Sequence, residues 1–181
     1  MTAQPPAMIP EEIQYSTIDS VLGTTLIAQS IRGVCAVQFC DSVQDGAREL
    51  ARLFPGARTI FAPNTLPSMA ERAIQALTTG QQFDTLSAIA LDIRGSPFQE
   101  AVWRTLRKVP RGASISYSQL AAAIGKPRAA RAVATACGAN RIALLIPCHR
   151  IIRGNGELSG YRWGQHRKSL LLEWERVSVR S

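Results

Sequence analysis

The sequence predicts two joined parts, a small α/β unit followed by a mainly helical part, and three observations carry that prediction. Residues 14–40 alternate as a meander of short strands, with helical spacing only after them. Beyond Gly95 the texture changes to capped, alanine-rich helices. The charge changes at the same place. Through Gly95 the chain holds 6 basic and 9 acidic residues, a net of −3, and the remainder holds 15 basic and 4 acidic, a net of +11. The domains follow as an α/β domain over 1–90 and a second domain over 91–181.

The elements justify this in order. IQYSTID, TTLIAQ and VCAVQF read as strands, separated by Leu22-Gly23 and Arg32-Gly33, which supply turn geometry. SVQDGARELARLF carries apolar residues at helical spacing and stops at Pro55-Gly56. LPSMAERAIQALTTG predicts a second helix closed by Gly80, and LSAIALDI a further strand. This part has no His, and its carboxylates fall on helix surfaces.

In the second part Ser96-Pro97-Phe98-Gln99 combines an N-cap serine, a proline at the first helical position and a Gln two further on. The helix it opens runs through Trp103 and Leu106 to Pro110. In SYSQLAAAIGKPRAARAVATACGAN, Ser116 and Gln119 form another capping box and Leu120 to Ile124 a short helix. Gly125-Lys126-Pro127 turn the chain, and a third helix runs from about Arg128 to Ala139. Helix, tight turn, helix is a helix-turn-helix pattern. Its place in the basic part, and alanines that let its backbone approach another surface, favour that reading over an ordinary helical hairpin. LLIPCHRII reads as strand or extended loop, and Gly154-Asn155-Gly156 as a hairpin turn that folds LSGY back as a wing. QHRKSLLLEWERV is an amphipathic helix ending in Glu173 and Glu175.

Composition excludes several classes. With 46% hydrophobic residues in 181, a packed core is expected rather than disorder. No apolar run approaches the ~20 residues that span a bilayer. MTAQPPAMIPEE lacks the basic-then-apolar order of a signal peptide. A cytoplasmic protein with no membrane partner is expected. The cysteines are Cys35, Cys40, Cys137 and Cys148, with no CxxC pair, so neither a disulfide framework nor a zinc site is expected. Cys35 and Cys40, five apart in VCAVQFC, leave opposite faces of a strand and so cannot share a metal. With Cys137 they read as small buried hydrophobes. The concentrated positive charge points to a polyanion surface on the second part, with a merely solvated basic face as the alternative.

The chemistry concentrates in IPCHRII. A cysteine in an apolar run is more often core filler than nucleophile. On a strand, Cys148 and His149 would also point to opposite faces. Against this, Pro147 breaks a ladder, so the chain can turn at the cysteine. Arg131, Arg150 and Arg153 make the surroundings electropositive, which favours thiolate.

Taken with SYSQLAAAIGKPRAARAVATACGAN before it and LSGYRWG after it, IPCHRII resembles the 6-O-methylguanine-DNA methyltransferases, also called methylated-DNA–protein-cysteine S-methyltransferases. The resemblance is strong from Leu91 to Glu175 and weak over the α/β part. GKP, YRWG and RGNGELSG are most similar to the alkyltransferase half of bacterial Ada-type proteins. The resemblance implies a ribonuclease H-like α/β domain followed by a winged helix-turn-helix domain that carries the active site. It implies irreversible, self-inactivating transfer of a methyl group from 6-O-methylguanine, and from 4-O-methylthymine, to the protein's own cysteine. The substrate it implies is double-stranded DNA, acted on by a monomer after the damaged nucleotide is flipped out.

By motif match Cys148 resembles the methyl acceptor, with His149 and Glu175 its activating partners through a water. Glu173 is the fallback for Glu175. Asn140 corresponds to the residue that ties the helix-turn-helix to the active-site segment. Arg131 matches the arginine that enters the duplex, and Tyr117 the tyrosine at the flipped nucleotide and its phosphate. Ser118, Lys126 and Arg128 fall at flanking DNA-contact positions. Tyr117, Ile151, Tyr161, Arg162 and Trp163 correspond to the guanine pocket, which the bulk of Arg162-Trp163 is expected to narrow against large alkyl groups. Ala129, Ala130 and Ala134 suit a recognition helix lying in the minor groove. No cofactor and no metal is implied. The zinc ligands of some relatives are missing, and so is the upstream zinc half of the Ada regulators, so transcriptional activation is not expected. Three rival readings are a non-enzymatic reader of alkylated DNA, a plain winged-helix transcription factor and a Cys-His hydrolase. Cys148 speaks against the first, and the adjacency of Cys and His against the last.

Overall fold

Alternation in the first 40 residues produces an antiparallel meander. The computed structural model describes residues 10–63, 68–78 and 88–178. In it β1 (Glu12–Ile18), β2 (Thr24–Ser30) and β3 (Gly33–Cys40) pair in sequence. Ser42 then accepts a hydrogen bond from the Asp45 amide at 3.1 Å and starts α1 (Val43–Leu53), which stops before Pro55-Gly56. A fourth strand, β4 (Arg58–Phe61), pairs parallel with β1 and gives the order β3-β2-β1-β4. The sequence gives no sign of β4, because RTIF is too short to show a period.

One bulge corrects an expectation about the cysteines. Gln29 faces Val34 and Ala28 faces Ala36, so Cys35 is an extra residue in β3. The extra residue reverses the alternation beyond it. Cys35 and Cys40 therefore do not leave opposite faces; both pack in the cluster under α1 with Ile13, Leu26, Leu50 and Phe54. Among the described residues no group of His, Cys, Asp or Glu could hold a metal ion.

The other face of the sheet builds the main core. Ala73, Ile74 and Leu77 of α2 (Ser68–Thr78) join Ile27, Val37 and Phe39 there. Residues 66–67 at the start of the second expected helix, 79–80 at its end and 86–87 of LSAIALDI lie outside the described residues. Over the rest of LSAIALDI the expected strand reduces to a single parallel bridge, Leu91 to Val34. The reason is competition for one edge. Further along β3, Val37 bridges Ile142, its amide bonded to the Arg141 carbonyl and its carbonyl to the Ala143 amide, both at 2.9 Å. Two segments share the free edge, so neither extends into a strand.

The helical part begins as its caps dictate. Ser96 and Gln99 close a capping box on α3 (Pro97–Leu106), with Pro97 at the start. After β5 (Ile115–Ser116), a second box, Ser116 with Gln119, starts α4 (Tyr117–Ala123). Gly125 at φ 72° and a Lys126 amide bond to the Ala121 carbonyl turn the chain toward α5 (Ala130–Gly138). The indole of Trp103 donates to the Ala136 carbonyl at 2.9 Å and ties α3 to α5.

LLIPCHRII is neither strand nor extended loop until its last two residues. Leu144 takes φ 67°, uncommon for a non-glycine residue and worth roughly 1–3 kcal/mol of strain. Pro147 follows, and Cys148–Arg150 forms one 3-10 turn. The chain straightens only in β6 (Ile151–Ile152), paired parallel with β5. Arg153 and Glu157 close a hairpin turn through a 2.9 Å backbone bond, and Ile152 bridges Leu158. Last, α6 (Gln165–Ser178) buries Lys168, Leu171, Leu172 and Glu175 along one stripe. One core cluster joins Val37 and Phe39 of the sheet with Val133, Ile146 and Leu171, so both parts of the chain share an interior. No described helix is long and apolar enough to cross a membrane.

Candidate active site

The turn at Pro147 sends neighbouring side chains to different places. Cys148 is 5% exposed and borders an open pocket of about 240 Å³, whose walls include Tyr117, Ala134, Cys137, Tyr161 and Arg162. That volume lies just under the ~300–1,000 Å³ of drug-sized sites, a size suited to a single ring system. Asn140, buried just past the end of α5, points an amide N–H at Cys148 Sγ, 3.1 Å away. The same amide nitrogen donates to the Ile146 carbonyl at 2.9 Å, and its oxygen accepts the Ile142 amide at 2.9 Å. The end of α5 is thereby fixed to the segment that carries the sulfur.

Burial pushes the Cys148 thiol up to about 11, although the Asn140 hydrogen bond and the Lys168 charge pull the other way. The expectation that electropositive surroundings favour thiolate is corrected here: desolvation outweighs them.

His149 faces the interior. Its Nε2 lies 2.9 Å from Glu175 Oε1, and both side chains are buried. Glu175 also receives a fork from Arg150, at 2.9 Å to Oε2 and 2.7 Å to Oε1, and the Gly112 amide at 3.3 Å. A further N–H of Arg150 donates to the Val109 carbonyl at 2.6 Å. Burial alone would raise Glu175, but the hydrogen bonds from His149 and Arg150 hold it at about 2. For His149, burial outweighs the carboxylate and lowers its pKa, so the ring is neutral near pH 7. With Nε2–H donated to the carboxylate, Nδ1 keeps the lone pair, and it has no partner among the described residues. Glu173, the other candidate, sits on the exposed side of α6.

The expected pocket residues divide. Tyr117, Tyr161 and Arg162 reach the pocket wall. Ile151 is instead fully buried in the core. Trp163 packs edge-on against Phe39 at 6.2 Å and borders a separate depression with Leu22 and Arg167. Its large apolar area is satisfied by the sheet, which the sequence does not show. Arg162 reaches Glu49 of α1 at 2.9 Å and the Gly138 carbonyl at 3.3 Å.

Behind Tyr117 lies a network that no motif in the sequence marks. The Tyr117 hydroxyl bonds Ser159 Oγ at 2.9 Å, and Lys168 Nζ donates to the same Oγ at 2.7 Å and to the Ser159 carbonyl at 3.3 Å. Lys168 is fully buried, and desolvation brings it down to about 8. A signal was present: in KSLLLEWE, Lys168 shares the stripe of Leu171, Leu172 and Glu175, a face that has to be buried. Arg150 was read only as general positive charge.

Ser118, Lys126, Arg128 and Arg131 are exposed on α4, the turn and the start of α5. Among the described residues none of these three cations has a carboxylate partner. Helix α5 opens at Ala129 with no side-chain cap. It runs from this basic end to Ala134 in the pocket wall.

A helical hairpin with a cysteine pocket at the end of its second helix is matched by known proteins. The family model described as 6-O-methylguanine DNA methyltransferase, DNA binding domain, matches residues 97–177. The methylated-DNA–protein-cysteine methyltransferase of Mycobacterium tuberculosis is 38% identical over 169 residues, covering 91% of this chain and 93% of that protein. The bifunctional transcriptional activator/DNA repair enzyme Ada of Escherichia coli is 47% identical over 163 residues, which are 90% of this chain and 45% of that protein. The chain thus spans about half the length of that relative. Among solved structures, Mycobacterium tuberculosis OGT in complex with DNA superposes with a TM-score of 0.76 at 34% identity, covering 91% of this chain and 93% of that one. The chain belongs to the methylated-DNA–protein-cysteine methyltransferase family.

Proposed function

We propose that this protein repairs alkylated DNA by moving the methyl group of 6-O-methylguanine, and of 4-O-methylthymine, onto its own Cys148. The observation that carries this reading is the placement of Cys148 Sγ at the wall of an open pocket, hydrogen-bonded by Asn140 and one residue from the buried His149–Glu175 pair. In this reading the first part is a ribonuclease H-like domain and the second a winged helix-turn-helix domain, with the Arg153–Glu157 hairpin as its wing.

The lesion is buried inside a duplex, so the nucleotide must rotate out at a cost of a few kcal/mol. Lys126, Arg128 and Arg131 supply the charge that holds phosphates. Arg131, on the first turn of α5, occupies the space the base leaves, while the small residues Ala129, Ala130 and Ala134 let the helix approach the groove. The pocket between Tyr117 and Tyr161 takes the base.

A thiol near 11 is protonated at neutral pH, so its proton has to leave as the reaction begins. The lone pair on His149 Nδ1 takes it through a bridging water, and Glu175, held ionised, stabilises the imidazolium. Sulfur attacks the methyl carbon, the carbon–oxygen bond breaks, and its electron pair passes to the guanine ring. Tyr117 donates a hydrogen bond to ring N3 as that charge develops. Once the guanine anion takes up a proton from solvent and the imidazolium releases one, the products are guanine in DNA and a thioether on Cys148. A thioether offers no carbonyl for water to attack, so each chain acts once and needs no cofactor.

The test follows the DNA. A duplex with one 6-O-methylguanine is incubated with limiting protein and its nucleosides are counted. The proposal expects restored guanine equal to the protein added, and none with Cys148→Ser. Restoration that continues past one per chain, or survives that substitution, contradicts it.

A further inference from the structure

Lys168 is a fully buried cation with no carboxylate partner among the described residues, where a lone ammonium is costly. Its ammonium donates to two atoms of Ser159, the carbonyl oxygen and Oγ. Ser159 Oγ in turn meets the Tyr117 hydroxyl at 2.9 Å and the Ile151 carbonyl at 3.2 Å. Tyr117 is in the pocket wall beside Cys148, so the three side chains form a continuous path from a buried charge to the pocket. We infer that Lys168 is a positioning residue that acts through Ser159 on the Tyr117 hydroxyl, turning and polarising it toward the departing nucleobase.

The chemistry of the path supports this. Serine and tyrosine each carry one proton and can accept as well as donate, so the 2.9 Å contact holds in either sense. When the Ser159 proton leaves the Ile151 carbonyl, its longer contact, and turns to the tyrosine oxygen, ammonium, serine and tyrosine donate in series. The Tyr117 proton is then free to point into the pocket. Donors in series polarise one another, and a charged first member strengthens the last. The cost of burying Lys168 is in this way offset at the moment negative charge appears on the leaving base. Desolvation has already brought the ammonium down to about 8, which marks it as an unusual group for a purely structural role.

A competing route exists, because the Lys168 charge also favours the Cys148 thiolate directly. The test separates the two, and since the inference rests on the proposed transfer reaction, wild-type transfer is its control. Single-turnover rates and DNA affinities are measured for wild type, Lys168→Met, Ser159→Ala, Tyr117→Phe and the Tyr117→Phe/Lys168→Met pair. The substrates are duplexes with 6-O-methylguanine or its 3-deaza analogue, which lacks ring N3. Lys168→Met and Ser159→Ala should each slow transfer to 6-O-methylguanine about tenfold or more, with DNA affinity unchanged. On the 3-deaza lesion, and in the Tyr117→Phe background, the Lys168→Met penalty should shrink below about twofold. A penalty of full size on the 3-deaza lesion overturns the inference in favour of action on the thiolate. Unchanged rates in both single variants overturn it in favour of a packing role. Should Lys168→Met fail to fold, Ser159→Ala decides, because it leaves the ammonium in place. No transfer by the wild type overturns the proposed function itself.

Discussion

Glu175 receives donors from three directions, and its neighbours show how one buried carboxylate organises a site. It is ionised because His149 and Arg150 hold it so, while burial, with Arg150 adding to it, keeps His149 from becoming charged at rest. Glu175→Gln leaves a buried guanidinium without its counter-charge and should destabilise the fold by about 3–5 kcal/mol. The pH dependence has a definite sign. The folded value of about 2 lies below the ordinary 4.5, so this contribution is complete above 4.5 and disappears as pH falls toward 2. Denaturant unfolding should show a loss of roughly 3 kcal/mol across that window, absent in Glu175→Gln. Arg162 borders the pocket and Trp163 does not, so Arg162 is the residue expected to restrict bulky alkyl groups. Arg162→Ala should speed reaction with a 6-O-benzylguanine duplex about tenfold, measured as single-turnover transfer. Rapid benzyl transfer by the unaltered protein contradicts the narrow pocket. That Cys148 and Asn140, and His149 and Glu175, come together was legible through an ordered set of motifs. Ile151 and Trp163 were misplaced because a motif records spacing, whereas their burial depends on Phe39 and the sheet behind them.

Elements show the same division. The caps at Ser96 and Ser116 were readable because each helix start is a local arrangement of a few side chains. The meander was readable from alternation. What was lost depends on distant partners: β4 needs β1, and LSAIALDI competes with residues 141–143 for the edge of β3. The 3-10 turn at Cys148 follows from Pro147 and the strained Leu144 rather than from any period. The turn into β3 offers a sharp test. Gly33 has φ 135°, and an added Cβ would lie 2.4 Å from the backbone oxygen of Ala90. Backbone cannot yield as a flexible side chain can. Gly33→Ala should cost about 3 kcal/mol or more, read from the midpoint of chemical unfolding.

At the scale of the whole molecule, the charge difference between the two parts was the first sign of a polyanion partner, and the exposed cations lie together at the start of α5. DNA affinity should fall linearly on a log–log plot against salt, with each lost phosphate contact reducing the slope by about 0.9. Arg131→Ala should slow repair more on a fully paired lesion than on an unpaired one, since extrusion is costliest from a stable duplex. Equal losses on the two contradict an intrahelical role. The shared interior also has a use here, because β3 anchors residues 141–143 and so the turn that presents the sulfur. The central claim is that this sulfur takes the alkyl group and keeps it. Its most direct test is the mass of the proteolytic peptide containing Cys148 after incubation with a methylated duplex. The account predicts one added methyl group per chain, on that peptide alone and stable to dialysis. An unmodified Cys148 peptide from protein that has bound the lesion contradicts it.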